Sequence, residues 1–124
     1  MNVAYACTMH DYRKLRVYEL ALSIAADTYV LTRRMPRSET FSLAQQMNRA
    51  AISIVSNIAE GAGRGDSRDF ARFLRIARGS ACELEAQVTL GERVGLIDND
   101  AASLLRERIE KAKATITSLE RHTR

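Results

Sequence analysis

The 124-residue chain is poor in the residue types that mark several protein classes. It has no tryptophan, one proline, six glycines and two cysteines. Two cysteines cannot form a disulfide framework, so Cys7 and Cys82 are expected to be reduced thiols. Because apolar residues make up 46% and charged residues 27% of the chain, a disordered segment is excluded. The composition favours a single soluble helical domain.

Long hydrophobic runs are also absent. The longest uncharged stretch, residues 50–59, is too short to span a bilayer. The first residues contain neither a basic segment nor a long apolar segment of the kind found in secretory signal peptides. These absences predict a cytoplasmic protein that has no membrane partner.

The chain has few histidines, and their positions do not suit a metal site or a catalytic base. The two histidines, His10 and His122, lie near the chain ends. A metal site of the ferritin-like kind needs Glu-x-x-His pairs on facing helices. A serine or cysteine nucleophile needs a neighbouring base such as histidine. The sequence therefore predicts no metal, no cofactor and no catalytic residues.

Apolar residues recur with helical spacing along most of the chain. Four helices are predicted: residues 11–34, a second beginning at Ser38 or Ser42 and ending at the glycine cluster 61–65, a third over residues 67–93 capped by Asp66 or Ser67, and a fourth over residues 98–121. Similar helix lengths and short connections predict an all-α, antiparallel up-down-up-down four-helix bundle. Residues 1–10 are expected to form a tail and residues 11–122 a single bundle domain.

The apolar faces of the four helices differ in width. The stripe on the fourth helix covers roughly 80°, whereas the first helix carries apolar and small residues over roughly 200°. On the second helix, Ile52, Val55 and Ala59 widen the apolar face beyond a single core contact. Contiguous exposed apolar surface usually marks an interface. We therefore expect a homo-oligomer formed through the first two helices.

Arginines cluster at the start of the third helix. Arg64 precedes the helix, and Arg68, Arg72 and Arg75 share its outer face. Such clusters contact nucleic-acid phosphates, which makes RNA or DNA a candidate partner. Two acids, at positions 66 and 69, partly neutralise the cluster, and no aromatic residue alternates with the arginines on that face to stack bases. A solvated helix face is the alternative interpretation.

Four polar residues accompany the apolar stripes of the second and third helices: Arg49, Asn57, Glu60 and Glu83. A catalytic interpretation makes the two carboxylates an acid and a base. A structural interpretation pairs Arg49 with a carboxylate of the third helix and lets Asn57 or Glu60 bond across helices. We favour the structural polar network, because burial of such groups requires partners.

Two sequence motifs resemble one known protein family. These are Asn57-Ile-Ala-Glu-Gly61 and Ala77-x-Gly79-Ser80-x-x-Glu83, preceded by Gln46-x-x-Arg49-Ala50-Ala51-x-Ser53-Ile54. Together with the pattern that begins at Tyr12, they resemble the four-helix bundle proteins encoded in intervening sequences of bacterial 23S ribosomal RNA genes. The resemblance covers about residues 11–97.

The resemblance implies an antiparallel four-helix bundle that assembles into a ring, most often a homopentamer, and it brings no catalytic residues. The fold is also similar to that of accessory proteins of diversity-generating retroelements, which are basic pentameric barrels that bind nucleic acid and a reverse transcriptase. Two hypotheses follow for this chain. One is a non-enzymatic oligomer that binds RNA or DNA through repeated arginine patches; the other is a protein-interaction scaffold without direct nucleic-acid contact.

Overall fold

The computed structural model describes residues 15–123. This part of the chain folds into four α-helices and a short 3₁₀ helix, with no strand: α1 (Arg16–Arg33), the 3₁₀ helix (Arg37–Glu39), α2 (Leu43–Gly63), α3 (Ser67–Arg93) and α4 (Asn99–Thr123). Each α-helix packs against the next, and α1 packs against α4. The all-α prediction is confirmed, and the packing is compatible with a four-helix bundle. The predicted tail 1–10 and the first turn of the predicted first helix lie outside the described residues.

Local sequence signals explain both ends of α3 but not the start of α2. The Asp66 carboxylate accepts a hydrogen bond from the Arg68 backbone N–H at 2.8 Å and caps α3. Gly95, at φ +82°, closes the other end of α3 in a conformation that glycine adopts without strain. Ser42 precedes α2 as predicted, but its side chain makes no capping bond. Instead, Glu39 Oε1 accepts a hydrogen bond from the Leu43 N–H at 3.4 Å.

The core lies where the four apolar stripes meet. Its largest fully buried side chains come from every helix: Val17 and Ile24 of α1, Met47, Ile54 and Ile58 of α2, Phe70, Leu74, Leu84 and Val88 of α3, and Ile109 and Ile116 of α4. The stripes predicted from helical spacing are therefore confirmed. Burial of each such side chain contributes about 1.5–3 kcal/mol to folding, which makes these stripes the main source of stability.

Ion pairs join α4 to its neighbours on either side. Lys113 Nζ lies 3.0 Å from Glu85 Oε1 of α3 and 2.8 Å from Glu110 Oε1 of its own helix. Hydrogen bonds to Glu110 and Glu85 raise the pKa of Lys113 above its ordinary value. On the other side, Arg108 pairs with Asp27 of α1. Partly exposed pairs of this kind contribute about 0–1 kcal/mol each, less than a buried apolar side chain.

A partly exposed apolar seam runs along the outside of α1 and α2. The Thr32 hydroxyl donates a hydrogen bond to Asn48 Oδ1 at 3.0 Å and joins the two helices there. Helical spacing places Ala25 and Tyr29 on the same side of α1 as Thr32, and Val55 and Ala59 on the same side of α2 as Asn48. We call these residues, together with Leu22 and Ile52 at their edges, the α1–α2 seam. Leu22 is 37% and Ile52 is 45% exposed. The wide faces predicted from the sequence are therefore only half covered within one chain.

None of the helices within residues 15–123 combines the length and apolar character needed to cross a membrane.

The contact between α2 and α3 is unusually close at Gly61. A Cβ atom at Gly61 would lie 2.6 Å from Phe73 Cβ and 3.1 Å from Phe70 Cδ1, below ordinary contact distances. The closest atom, Phe73 Cβ, is attached directly to the α3 backbone, so rotation of the side chain cannot relieve this contact. Glycine at this position thus sets the separation of the two helices where α2 ends and α3 begins.

We predict that Gly61→Ala lowers the free energy of unfolding by about 1–3 kcal/mol, because the added methyl group forces α2 and α3 apart. The measurement is chemical denaturation followed by circular dichroism. Gly63→Ala is the matched control, since a Cβ there meets nothing within 4 Å; it should leave stability unchanged or raise it by up to about 1 kcal/mol. Equal losses from both substitutions would contradict the packing argument.

Candidate nucleic-acid interface

The four predicted arginines meet at one end of the bundle, where α2 ends, α3 begins and α4 ends. Gly65, at φ +73°, lets the chain reverse between Arg64 and the Asp66 cap of α3. This tight connection places Arg64 beside the first turns of α3, which carry Arg68, Arg72 and Arg75. We call this set of four residues the arginine patch.

Arg75 is anchored by a buried carboxylate on α4. Its Nη1 lies 3.3 Å from Glu120 Oε2, and Nη1 of Arg78 lies 2.6 Å from Glu120 Oε1. The Glu120 side chain is only 7% exposed. Arg78 also donates a hydrogen bond to the Thr117 hydroxyl at 3.3 Å. These contacts join α3 to α4, so part of the arginine charge stabilises the fold.

Arg64 and Arg72 stack over the same aromatic ring. Their guanidinium carbons lie 5.1 Å and 4.4 Å from the centroid of Phe73. Each also contacts one acid of its own helical turn: Arg64 Nε is 3.3 Å from Glu60 Oε2, and Arg72 Nη2 is 3.5 Å from Asp69 Oδ1. The acids and the ring together restrict the orientations of both guanidinium groups.

Arg68 differs from the other three members of the arginine patch. It is exposed, and its side chain makes no hydrogen bond or ion pair with residues 15–123. Together with Arg75, Ser67 and Ala71 it lines an open depression of about 370 Å³. An unpaired guanidinium beside a depression of this size can bind an anion the size of a phosphate.

The patch keeps its capacity for anions despite the neighbouring acids. The side chains of Arg64, Arg72 and Arg75 remain 47%, 49% and 46% exposed. Each guanidinium has five N–H donors, and the ion pairs described above use only a few of them. The aromatic ring at this site, that of Phe73, lies beneath the arginines and does not alternate with them on the surface. The patch can therefore donate several hydrogen bonds to phosphate groups.

The predicted polar network among Arg49, Asn57, Glu60 and Glu83 is not assembled within residues 15–123. Asn57 Nδ2 donates hydrogen bonds to the carbonyl and hydroxyl oxygens of Ser53 in its own helix, at 2.8 Å and 3.0 Å. The contact across helices is made instead by the hydroxyl groups of Ser53 and Ser80, 2.7 Å apart. Glu60 pairs with Arg64, and the expected Arg49 pair with α3 does not form within the described chain.

The positions of Glu60 and Glu83 also bear on the acid–base interpretation. Relative to the Ser53–Ser80 contact, Glu83 and Arg49 lie towards the same end of the bundle, yet both are exposed and neither forms an ion pair with residues 15–123. Glu60 lies towards the opposite end, so it is about 15 Å from Glu83 along the helix axes. Two carboxylates so far apart do not flank one reacting bond, and the acid–base interpretation has no geometric support.

Two residues of the site were not singled out from the sequence. Glu120 could have been found, because it follows Ile109, Ala112 and Ile116 at core spacing and a charge at such a position needs a partner. Phe73 is mostly buried, with 9% of its surface exposed. Its role beneath Arg64 and Arg72 has no sequence signal, because it depends on how α2 meets α3.

Residues 15–123 hold no cluster of three or more His, Cys, Asp or Glu side chains suited to a metal ion. Of the two histidines considered above, His10 lies outside these residues. The other, His122, is exposed, and its Nδ1 lies 2.7 Å from the Ser118 carbonyl oxygen.

Comparisons with known proteins agree with the motifs and with the fold. A family model described as 23S rRNA-intervening sequence protein matches residues 13–118. No curated protein matches the chain. The chain is similar to a crystal structure of a protein of unknown function from the S23 ribosomal protein family of Bacteroides thetaiotaomicron, with a TM-score of 0.78 and 23% identity over 83% of this chain and 96% of that chain. At this identity, the structural similarity supports the fold alone.

We predict that Glu120→Gln lowers the free energy of unfolding by about 1–2 kcal/mol, since it leaves Arg75 and Arg78 without their shared carboxylate. The partial exposure of both arginines keeps the loss below that of a fully buried pair. Glu107→Gln, at an exposed position of the same helix, is the matched control and should change stability by less than about 0.5 kcal/mol. Thermal unfolding at neutral pH measures both, and equal effects would contradict the anchoring role of Glu120.

Proposed function

Because the chain belongs to the 23S rRNA-intervening sequence protein family, we propose that it is a non-enzymatic, oligomeric protein that binds RNA or DNA through the arginine patch. The family resemblance implies a ring of four-helix bundles and brings no catalytic residues. The observation that carries the proposal is the convergence of Arg64, Arg68, Arg72 and Arg75 at one end of the bundle, all of them exposed. Contacts from arginine to backbone phosphates supply most of the affinity in binding that is independent of sequence.

Assembly would multiply this affinity. In an oligomer each subunit presents the same patch, and one nucleic-acid chain that contacts several patches binds more tightly than any single contact allows. The α1–α2 seam is the surface that supports assembly, because its apolar residues are only half covered within one chain. A second copy of the chain is the proposed occupant, and the family resemblance makes a pentameric ring the expected form.

Binding should depend steeply on salt. Three or four phosphates bound by one subunit predict that affinity falls about 40-fold to 150-fold between about 50 and 200 mM salt, and more steeply where several subunits contact one chain. Arg68→Glu combined with Arg72→Glu should abolish binding, because the patch then repels phosphates. Fluorescence anisotropy with a labelled single-stranded RNA and with duplex DNA measures both effects.

The control for charge reversal is Arg34→Glu combined with Arg93→Glu, which changes the net charge equally at the opposite end of the bundle. This variant should keep most of the wild-type affinity. Binding that does not depend on salt, or no binding by the wild-type protein at low salt, would refute the proposed function.

Assembly is tested separately from binding. We predict that Leu22→Arg combined with Ile52→Arg converts the wild-type oligomer to monomers, because charges replace apolar side chains at both edges of the α1–α2 seam. Leu90→Arg combined with Leu104→Arg is the control, since these leucines are 53% and 52% exposed but lie on α3 and α4. Light scattering measures the mass of each variant. A wild-type monomer at high dilution would refute the assembly.

A protein-interaction scaffold is the second candidate function. The observation in its favour is a set of exposed apolar side chains at the end of the bundle opposite the arginine patch. Phe41, before α2, is 85% exposed, and Leu90 and Val94, near the end of α3, are 53% and 58% exposed. Exposed apolar groups of this kind serve protein contacts rather than phosphate contacts. A wild-type protein that ignores nucleic acid at low salt, yet retains a protein partner after nuclease treatment, would favour the scaffold.

A further inference from the structure

The most distinctive feature of the arginine patch is that one ring holds two of its guanidinium groups. Arg64 approaches Phe73 from the α2–α3 connection, and Arg72 approaches it from α3. The two guanidinium carbons lie 5.1 Å and 4.4 Å from the ring centroid, within the range of favourable cation–π contact. Two positive side chains normally repel one another, so their approach to one ring needs a structural cause.

The packing of α2 against α3 holds the Phe73 side chain in place. Phe73 Cβ lies where a side chain on Gly61 would have to be, and Phe70 closes the same space. Close packing of α2 against α3 therefore fixes the base of the Phe73 side chain and limits how far its ring can turn from the arginines. A rigid ring restricts both guanidinium groups before any ligand arrives, so less conformational entropy is lost when they bind.

The acidic residues near the Phe73 ring leave several N–H groups of the two arginines available as donors. Glu60 contacts Arg64 through Nε, so both terminal nitrogens of Arg64 are unpaired with residues 15–123. Asp69 contacts Arg72 through Nη2 at 3.5 Å, which is a weak interaction. Each guanidinium thus keeps N–H groups that a phosphate oxygen can accept.

Space for a ligand lies next to Arg64. Ser56, Ala59, Glu60, Gly63 and Arg64 line an open depression of about 470 Å³ on the outer side of α2. A Cβ atom at Gly63 would meet nothing within 4 Å, so no side chain fills this space. The sugar or base attached to a phosphate can therefore lie beside Arg64 without a clash.

We propose that Arg64 and Arg72, held on Phe73, form one subsite for a backbone phosphate of a nucleic acid, with Phe73 as its positioning residue. This inference rests on the proposed function and specifies its chemistry: the subsite needs planar guanidinium groups in a fixed orientation, and positive charge alone does not suffice. Lysine carries the same charge but lacks the planar fork that stacks on a ring and donates two parallel hydrogen bonds.

The first test replaces both arginines without changing the charge. Arg64→Lys combined with Arg72→Lys should lower the affinity for a labelled single-stranded RNA about fivefold to tenfold, with the same dependence on salt as the wild-type protein. The matched control, Arg34→Lys combined with Arg93→Lys, alters two exposed arginines at the opposite end of the bundle and should bind like the wild-type protein.

The second test changes the ring. Phe73→Leu should weaken binding about threefold, whereas Phe73→Tyr, which keeps the ring, should restore affinity close to that of the wild-type protein. Thermal unfolding shows whether Phe73→Leu remains folded; if it does not, the lysine variant decides the question, because it leaves the core unchanged.

The outcomes separate the two proposals. If the lysine variant binds as tightly as the wild-type protein, the subsite is refuted while nucleic-acid binding through charge stands. If the wild-type protein itself fails to bind RNA at low salt, the proposed function is refuted, and the subsite is refuted with it.

Discussion

The close approach of α2 to α3 at Gly61 is the constraint on which the rest of the structure depends. A side chain at this position would overlap with Phe73, so the separation of the two helices is set by the absence of a Cβ atom. That separation seals the core around Phe70 and fixes the ring of Phe73 at the end of the bundle. The short connection through Gly65 then brings Arg64 to the ring that also contacts Arg72. Packing of apolar groups thus positions the charged groups.

The arginines at this end of the bundle divide between stability and binding. Arg75 and Arg78 share the buried carboxylate of Glu120, which joins α3 to α4. Arg68 has no side-chain partner among residues 15–123 and faces an open depression with Arg75. A surface built in this way holds its shape without a ligand, because its buried anchor is the Glu120 carboxylate and its donors are exposed arginines. Arg75 belongs to both groups, so it couples the fold to the proposed phosphate contacts.

The remaining exposed apolar surface has a separate role in the proposal. The α1–α2 seam runs along the side of the bundle, whereas the arginine patch lies at one end. Subunits that pack through their sides leave their ends open, so the arginines stay accessible in the proposed assembly, and the two proposed surfaces meet only at Ala59. In a ring, the ends of all subunits face the same direction, and the patches would then form one continuous basic surface.

The sequence by itself determined the four helices, their apolar stripes and a cap for α3 at Asp66 or Ser67, because each depends on residues within a few turns of one another. It also placed the four patch arginines near one another, since they belong to one connection and the helix that follows it. Tertiary structure decided which side chains meet. Glu120 joins Arg75, Ser53 joins Ser80, and the expected partner of Arg49 stays apart from it, because these distances depend on the rotation and spacing of neighbouring helices. Helical periodicity gives the direction of each side chain from its own axis, and only the packed bundle sets the distances between axes.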